Sequence, residues 1–317
     1  MYHIVIPTYN RENTVIRSIK SVLIQNNSNF IIYIIDDWSI DNTKERIKPY
    51  LEKYKWKILY FFKENWWVWS ARNLWIEKAL FYSKNINNDI IVFLDSDDEL
   101  AKDAFLNYTK YLNKYKDISI YKFLSKDQNW NQKSLIDDNK IFIAKKCDLL
   151  CWYKIYWEFD TIIKLNIFNN KNYRYPENVN WWESLLWFSL IKKYNFIFIN
   201  KYTRIYHTWN NWLTRKILNN SDILNFKKIS YEMIKTFEED YLECWAQKQL
   251  WIQYLVYARM LILSWNKVES INYFIKWIKY NLDFKRIFLY LISTIDYKLI
   301  LNNILIKFNN ILIKFNK

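Results

Sequence analysis

Over the first hundred residues, short apolar runs rich in β-branched side chains alternate with amphipathic stretches. The runs at 3–7, 31–36, 57–62 and 89–94 read as strands, and 12–25, 41–54 and 70–83 read as helices. Strands and helices in strict alternation predict an α/β fold with a doubly wound, mostly parallel sheet. Such a sheet holds its ligand in the crevice at the carboxyl ends of the strands. Three of those ends carry polar signatures here: Thr8-Tyr9-Asn10, Asp36-Asp37 and Asp95-Ser96-Asp97-Asp98.

Beyond residue 100 the pattern is mixed. A helix is predicted near 102–114, a strand at 118–124 and a polar loop at 125–140, with further strand character at 141–160 and 197–207. From about 221 the periodicity is wholly helical, over 223–237, 246–263 and 268–280. We therefore expect two domains, 1–215 and a helical C-terminal extension, 216–317. The extension ends in a near-perfect seven-residue repeat that places Ile304, Phe308, Ile311 and Phe315 on one stripe of a helix. No acidic residue follows Asp296, so this tail is a cationic amphipathic segment. Packing on the preceding helices and contact with a membrane surface are both open to it.

Composition changes the picture at one point. The chain has no glycine and 18 tryptophans, where an average protein of this length would have roughly 22 glycines. Turns and close backbone approaches need a residue that tolerates positive φ. Tryptophan stands where such a residue is wanted: in Asp36-Asp37-Trp38-Ser39, in Asn65-Trp66-Trp67-Val68-Trp69-Ser70, at Trp75, and in Ser264-Trp265-Asn266. The pattern suggests a gene in which UGA encodes glycine but is written as tryptophan. The alternative is a truly tryptophan-rich protein with indoles in successive tight turns. Trp56, which abuts a strand-like run, reads as a genuine tryptophan.

The net charge of +15 suits a polyanionic partner, although lysine drift in an AT-rich gene explains it equally well. Cys147, Cys151 and Cys244 are odd in number and form no paired framework, so reduced thiols are expected. The chain enters a strand at once, without a basic leader and apolar core, and no run nears the 18 or so apolar residues of a membrane span. The expected location is cytoplasmic, at most peripheral on the inner face of the cell membrane.

Asp95-Ser96-Asp97-Asp98 follows the apolar run Ile90-Ile91-Val92-Phe93-Leu94. Clustered carboxylates repel one another, and a divalent cation bridging to phosphate oxygens relieves that repulsion. A solvated helix cap is the bland reading of the same residues. The neighbouring motifs decide between them. Ile4-Val5-Ile6-Pro7-Thr8-Tyr9-Asn10, Asp36-Asp37-Trp38-Ser39, Asn65-Trp66-Trp67-Val68-Trp69-Ser70-Ala71-Arg72-Asn73 and Asp95-Ser96-Asp97-Asp98 together resemble the family-2 glycosyltransferases of the GT-A fold. With glycine in place of tryptophan, the second and third become that family's DDGS and N-GG-V-G-SARN patterns. The likeness is strong over residues 1–110 and weak over 155–215.

The resemblance implies an inverting transfer of a sugar from a nucleotide-diphospho-sugar, expected to be a UDP-sugar, to a glycan or lipid-linked acceptor of a cell-surface polysaccharide. No nucleic-acid partner is expected. By the same resemblance, Tyr9 contacts the base in a pocket shaped by Pro7 and Thr8, Asp36 and Asp37 fix base and ribose, and Arg72 lies along the nucleotide. Asp95 and Asp97 match the two carboxylates of the DXD motif that holds Mn²⁺ or Mg²⁺, and His207 resembles a further metal or phosphate ligand of some relatives. The acceptor base would be Glu183, in Asn180-Trp181-Trp182-Glu183-Ser184, where Ser184 stands in place of the family's usual aspartate. That departure keeps open a catalytically silent, nucleotide-sugar- or polyanion-binding protein of the same fold. A nucleotidyltransferase is disfavoured, because Thr8-Tyr9-Asn10-Arg11-Glu12 is too short for a lysine-bearing phosphate loop.

Overall fold

A computed structural model describes residues 1–63, 68–129, 131, 141–151, 159–175, 183–207, 220–264 and 266–278, with no side-chain description for 68–72, 183, 184, 220–222, 267, 268 and 278. Unit one, Met1–Asn210, opens as β1 (Tyr2–Thr8), α1 (Val15–Leu23), β2 (Phe30–Asp37), α2 (Thr43–Lys53), β3 (Ile58–Lys63), α3 (Val68–Tyr82) and β4 (Ile90–Phe93). It continues through β5 (Glu99–Leu100), α4 (Ala104–Lys114), β6 (Ile120–Asp127), β7 (Phe142–Ala144), α5 (Lys146–Cys151), β8 (Asp160–Lys164), α6 (Glu183–Ile191) and β9 (Phe196–Tyr206).

The strands form one sheet in the order β3-β2-β1-β4-β8-β6-β9-β5, with β7 added on β9. Its first four strands are all parallel, whereas β8 runs antiparallel to both β4 and β6. Side chains alternate across the sheet because successive Cβ atoms point to opposite faces. Ile4 and Ile6 of β1, with Ile32 and Ile34 of β2, join one buried cluster with Val15, Ile19 and Phe105. Val5, Tyr33 and Ile35 join a second cluster with Ile76, Ala79 and Leu186. Helices thus cover both faces, which makes the sheet doubly wound and explains why its strands read as nearly continuous apolar runs.

Three expectations are corrected beyond residue 120. The stretch 125–140 does not begin as a loop, because β6 runs on through Ser125-Lys126-Asp127, paired with β9. The stretch 141–160 is not simply strand: after β7 it forms α5, and the next described strand, β8, is Asp160–Lys164. Cys147 and Cys244 are disulfide-bonded, against the expectation of three reduced cysteines.

The second unit, Asn211–Lys317, contains α7 (Asn220–Glu243), α8 (Gln247–Leu263) and α9 (Lys267–Ile278). Helix α7 ends in a Schellman turn, in which Ala246 N–H donates to Tyr241 C=O (2.8 Å) and Trp245 N–H to Leu242 C=O (3.2 Å). The residue between, Trp245, has φ of 56°. The tail 297–317 lies outside the described residues. None of the described helices is long and apolar enough to cross a membrane.

Of the two histidines, His3 is fully buried in β1, with Nδ1 2.8 Å from the Tyr33 hydroxyl and Nε2 3.2 Å from Asp89 Oδ2. Asp89 also accepts from Ser83 Oγ (2.6 Å) and from the Met1 amine (2.8 Å). Burial lowers the His3 pKa, and Asp89 only partly opposes it. An imidazole whose folded pKa lies below its unfolded value of about 6.5 takes up its proton first in the unfolded chain. The His3 contribution should therefore be full above that value and fall as pH drops below it, by at most about 1.4 kcal/mol per pH unit. Urea titrations between pH 7.5 and 5 should show this slope as the difference between the parent and His3→Gln, since Asp98, its pKa raised to about 7 by burial, titrates with the opposite sign in both. Asp89, whose pKa is lowered, would act at more acidic pH.

Candidate nucleotide and acid-turn site

The loops after β1 and β2 lock together at the carboxyl edge of the parallel strands. Asn10 N–H donates to Ser39 Oγ (2.9 Å), while Ile40 N–H returns to Asn10 Oδ1 (2.9 Å). Arg11 N–H donates to Thr43 Oγ1 (2.8 Å) and Glu12 N–H to Asp41 Oδ2 (3.1 Å). Asp41 in turn accepts both the N–H (3.0 Å) and the hydroxyl (2.5 Å) of Thr43, the residue that opens α2. Burial works to raise the Asp41 pKa, and these hydrogen bonds overcome it and bring it down.

Pro7 and Thr8 end β1, and Tyr9 stands 47% exposed just beyond them. The two carboxylates after β2 differ in what they do. Asp36 is fully buried and engaged internally: Oδ1 accepts from Ser39 N–H (2.8 Å) and Oδ2 from the Tyr60 hydroxyl (2.6 Å). It builds the turn. Asp37 lies 3.8 Å from Lys63 Nζ at the sheet edge. Between Asp37 and Ser39, Trp38 takes φ of 73°, and its indole lies against the Phe62 ring, centroids 5.9 Å apart. Arg72 falls on α3 and Glu183 on the first turn of α6. The side chains of both are outside the description. The same holds for Trp66, Trp67 and Trp69, whereas Trp75 is fully buried against Phe93 with its indole N–H unpartnered.

The acid turn follows β4 and is gripped by α1. Ser18 Oγ reaches the carbonyl of Asp98 (2.6 Å), Ser21 Oγ accepts from Leu100 N–H (3.0 Å), and Gln25 Nε2 donates to Ala101 C=O (2.9 Å). Arg17 donates to the Asp97 carbonyl. From the other side comes Arg204 of β9, placed there because Leu100 pairs with it in the antiparallel register. Its Nε donates to Asp98 Oδ2 (2.6 Å), and one terminal nitrogen reaches both Asp98 and Asp95 Oδ2 (2.5 Å). Asp98 also accepts the His207 N–H (3.0 Å). Burial raises the Asp98 pKa, against the pull of the Arg204 guanidinium.

Asp95 and Asp97 remain part-exposed, at 45% and 27% of their side chains. Burial, and after it the charge of Asp95, raises the Asp97 pKa. Two hard carboxylates that repel across a half-open site fit a Mg²⁺ or Mn²⁺ ion. His207 follows β9 close by, with its Nε2 2.7 Å from Glu99 Oε1. Among the described residues no cluster of three or more His, Cys, Asp and Glu side chains is poised around an ion. Ser18, Ser21, Gln25 and Arg204 escaped the sequence reading, which named Asp98 only as a member of the acid turn. The polar stripe on an otherwise apolar α1 was their one local signal.

The Glycosyl transferase family 2 model matches residues 3–221, more than half of the chain, and the protein belongs to that family. An uncharacterized glycosyltransferase of Rickettsia conorii is 43% identical over 109 residues, 34% of this chain but only 17% of its own length. A Campylobacter jejuni GalNAc(5)-diNAcBac-PP-undecaprenol β-1,3-glucosyltransferase is 29% identical over 210 residues, covering 64% of this chain and 63% of that one. Among solved structures, Staphylococcus aureus TarS 1–349 with UDP-GlcNAc superposes with a TM-score of 0.59 at 14% identity, over 82% of this chain and 71% of that chain. A Pyrobaculum calidifontis mannosyltransferase with GDP-Man and Mn²⁺ gives 0.50 at 11%, over 88% and 75%. These likenesses establish the shared fold.

The interlocked loops generate a specific expectation. Thr43→Val keeps the shape but removes the acceptor of Arg11 N–H and the donor to Asp41. Loss of about 1–3 kcal/mol is expected in chemical denaturation, because a buried donor is left unpaired.

Proposed function

We propose that this protein is an inverting glycosyltransferase that moves a hexose or N-acetylhexosamine from a nucleotide-diphospho-sugar to a glycan or lipid-linked acceptor in cell-surface polysaccharide synthesis. The observation that carries the reading is the meeting, at one sheet edge, of the Tyr9 loop, the Asp37 turn and the acid turn Asp95–Asp98. Tyr9 and Asp37 would hold base and ribose, with Arg72 along the nucleotide. Asp95 and Asp97 would hold the divalent cation, which when bound neutralises the departing diphosphate. Glu183 would take the acceptor proton. The acceptor class is suggested by the undecaprenol-linked acceptor in the Campylobacter relative's name. Contact of the tail 297–317 with a membrane surface belongs to the same proposal.

The expected outcome is a metal-dependent release of nucleoside diphosphate that Asp97→Ala lowers by about a hundredfold or more, with the melting curve unchanged. Asp37→Ala should raise the donor KM. Donor binding without any turnover would instead identify a silent binder, and pyrophosphate release a nucleotidyltransferase.

We also propose that the working enzyme carries glycine at the tryptophan positions of its turns. Among the described residues, four have positive φ: Asn10, Trp38, Trp56 and Trp245. Asparagine visits that region readily and tryptophan does not. Trp56, which the sequence alone reads as genuine, joins this proposal: its φ is 69°, it is the third residue of a turn closed by Lys57 N–H to Tyr54 C=O (3.0 Å), and it is 85% exposed. Codons 38, 56 and 245 should be UGA, and the mass of the protein from its own host should be lower accordingly. UGG at these codons ends the idea.

A further inference from the structure

The acid turn carries its own counter-cations, and they are held unequally. Arg204 is 10% exposed and makes contacts to Asp98, itself 1% exposed, and to Asp95. Arg11, on the loop after β1, is 38% exposed and makes one contact with Asp97 Oδ2, at 3.4 Å. Arg204 cannot leave without stranding a buried carboxylate, whereas Arg11 can leave at little cost, since an exposed pair is worth only a fraction of a kcal/mol.

We propose, resting on the transferase reading above, that Arg11 is a placeholder cation on Asp97. It gives up the carboxylate when a divalent ion arrives with the donor and turns its guanidinium to the diphosphate. In the donor-free enzyme the Arg11 and Arg204 guanidiniums already offset the carboxylates of the acid turn, so the ion alone is held weakly. With the diphosphate present, its negative charge restores the ion's affinity, and Arg11 has a better partner than Asp97, because guanidinium–phosphate pairs are bidentate. Arg11 is thus a binding residue that makes metal and donor bind together, and the order of events follows from charge.

The test exploits opposite signs. Mn²⁺ binding is followed by electron paramagnetic resonance of free Mn²⁺, and UDP binding by calorimetry at saturating Mn²⁺, both in low salt. Arg11→Gln should bind Mn²⁺ alone about fivefold more tightly, since a like charge near the ion is gone. It should bind UDP in the presence of Mn²⁺ about tenfold more weakly, for loss of a charge-assisted contact. Arg11→Lys, which keeps the charge, should leave the Mn²⁺ affinity as in the parent. General damage to the loop would weaken both ligands, and that result, or unchanged Mn²⁺ affinity in Arg11→Gln, overturns the proposal. If the parent's UDP-dependent Mn²⁺ binding does not require Asp97, it is the transferase reading that fails.

Discussion

The Asp98 carboxylate is buried at the seam where the parallel strands give way to the mixed half of the sheet, and a charge in that position has to be answered from within the protein. Arg204 and the His207 N–H answer it. Because Arg204 sits on β9 and Asp98 just after β4, the pair ties strands that are far apart in the sheet order. Removing either partner would expose the other to the full desolvation penalty of a buried ion, several kcal/mol. Thr203, the residue before Arg204, is anchored in the same way, donating to the buried Asp160 of β8 (2.5 Å) beside the Tyr108 hydroxyl. The backbone that presents Asp95 and Asp97 to solvent is therefore set by ionic and polar contacts beneath it, and only secondarily by its own loop sequence.

This arrangement separates two kinds of carboxylate that look alike in the chain. Asp36 and Asp98 face inward, have their acceptors filled and hold turns in place. Asp95 and Asp97 stay part-exposed, and burial, with the charge of Asp95 after it, raises the Asp97 pKa. Asp37 stays at the sheet edge beside Lys63. The inward members cannot also serve a ligand without giving up buried hydrogen bonds. Under the proposed function, ligand chemistry would fall to the outward ones, and the site would gain fixed geometry from the inward ones.

How much of this could be read from the chain follows from the range of the interactions. The parallel strands were legible because burial on both faces writes an uninterrupted apolar run, as in Ile31-Ile32-Tyr33-Ile34-Ile35. The acid turn was legible because its four residues are contiguous. Strand β8 was not, since Asp160 and Thr161 look like loop residues until Tyr108, Thr203 and Lys122 supply their partners. The continuation of β6 through Ser125-Lys126-Asp127 depends likewise on pairing with β9. Arg204 was invisible for the same reason: only the register Leu100↔Arg204 brings it to the turn. His207 was legible as a residue of the site but not in its engagement, which depends on Glu99 lying across from it.

Backbone conformation supplies the remaining information about the tryptophans, and it is independent of composition. Whether position 56 follows a helix or precedes a strand says nothing about φ, which only the backbone shows. The left-handed region costs a residue with a Cβ about 1–2 kcal/mol. Trp38, Trp56 and Trp245 would together store about 3–6 kcal/mol if their costs were additive, against a net stability of about 5–15 kcal/mol for a typical domain. Nothing on the indole side offsets this at Trp56 or Trp245, which are 85% and 83% exposed. Trp75 is the contrasting case, since a helix makes no demand for positive φ and its ring is fully buried against Phe93 and Tyr175. Its difficulty is of another kind, an indole N–H sealed in the core without an acceptor. The turns and the core thus object to the indole for different physical reasons, conformational at 38, 56 and 245 and hydrogen-bonding at 75, and a hydrogen atom in place of the side chain removes both.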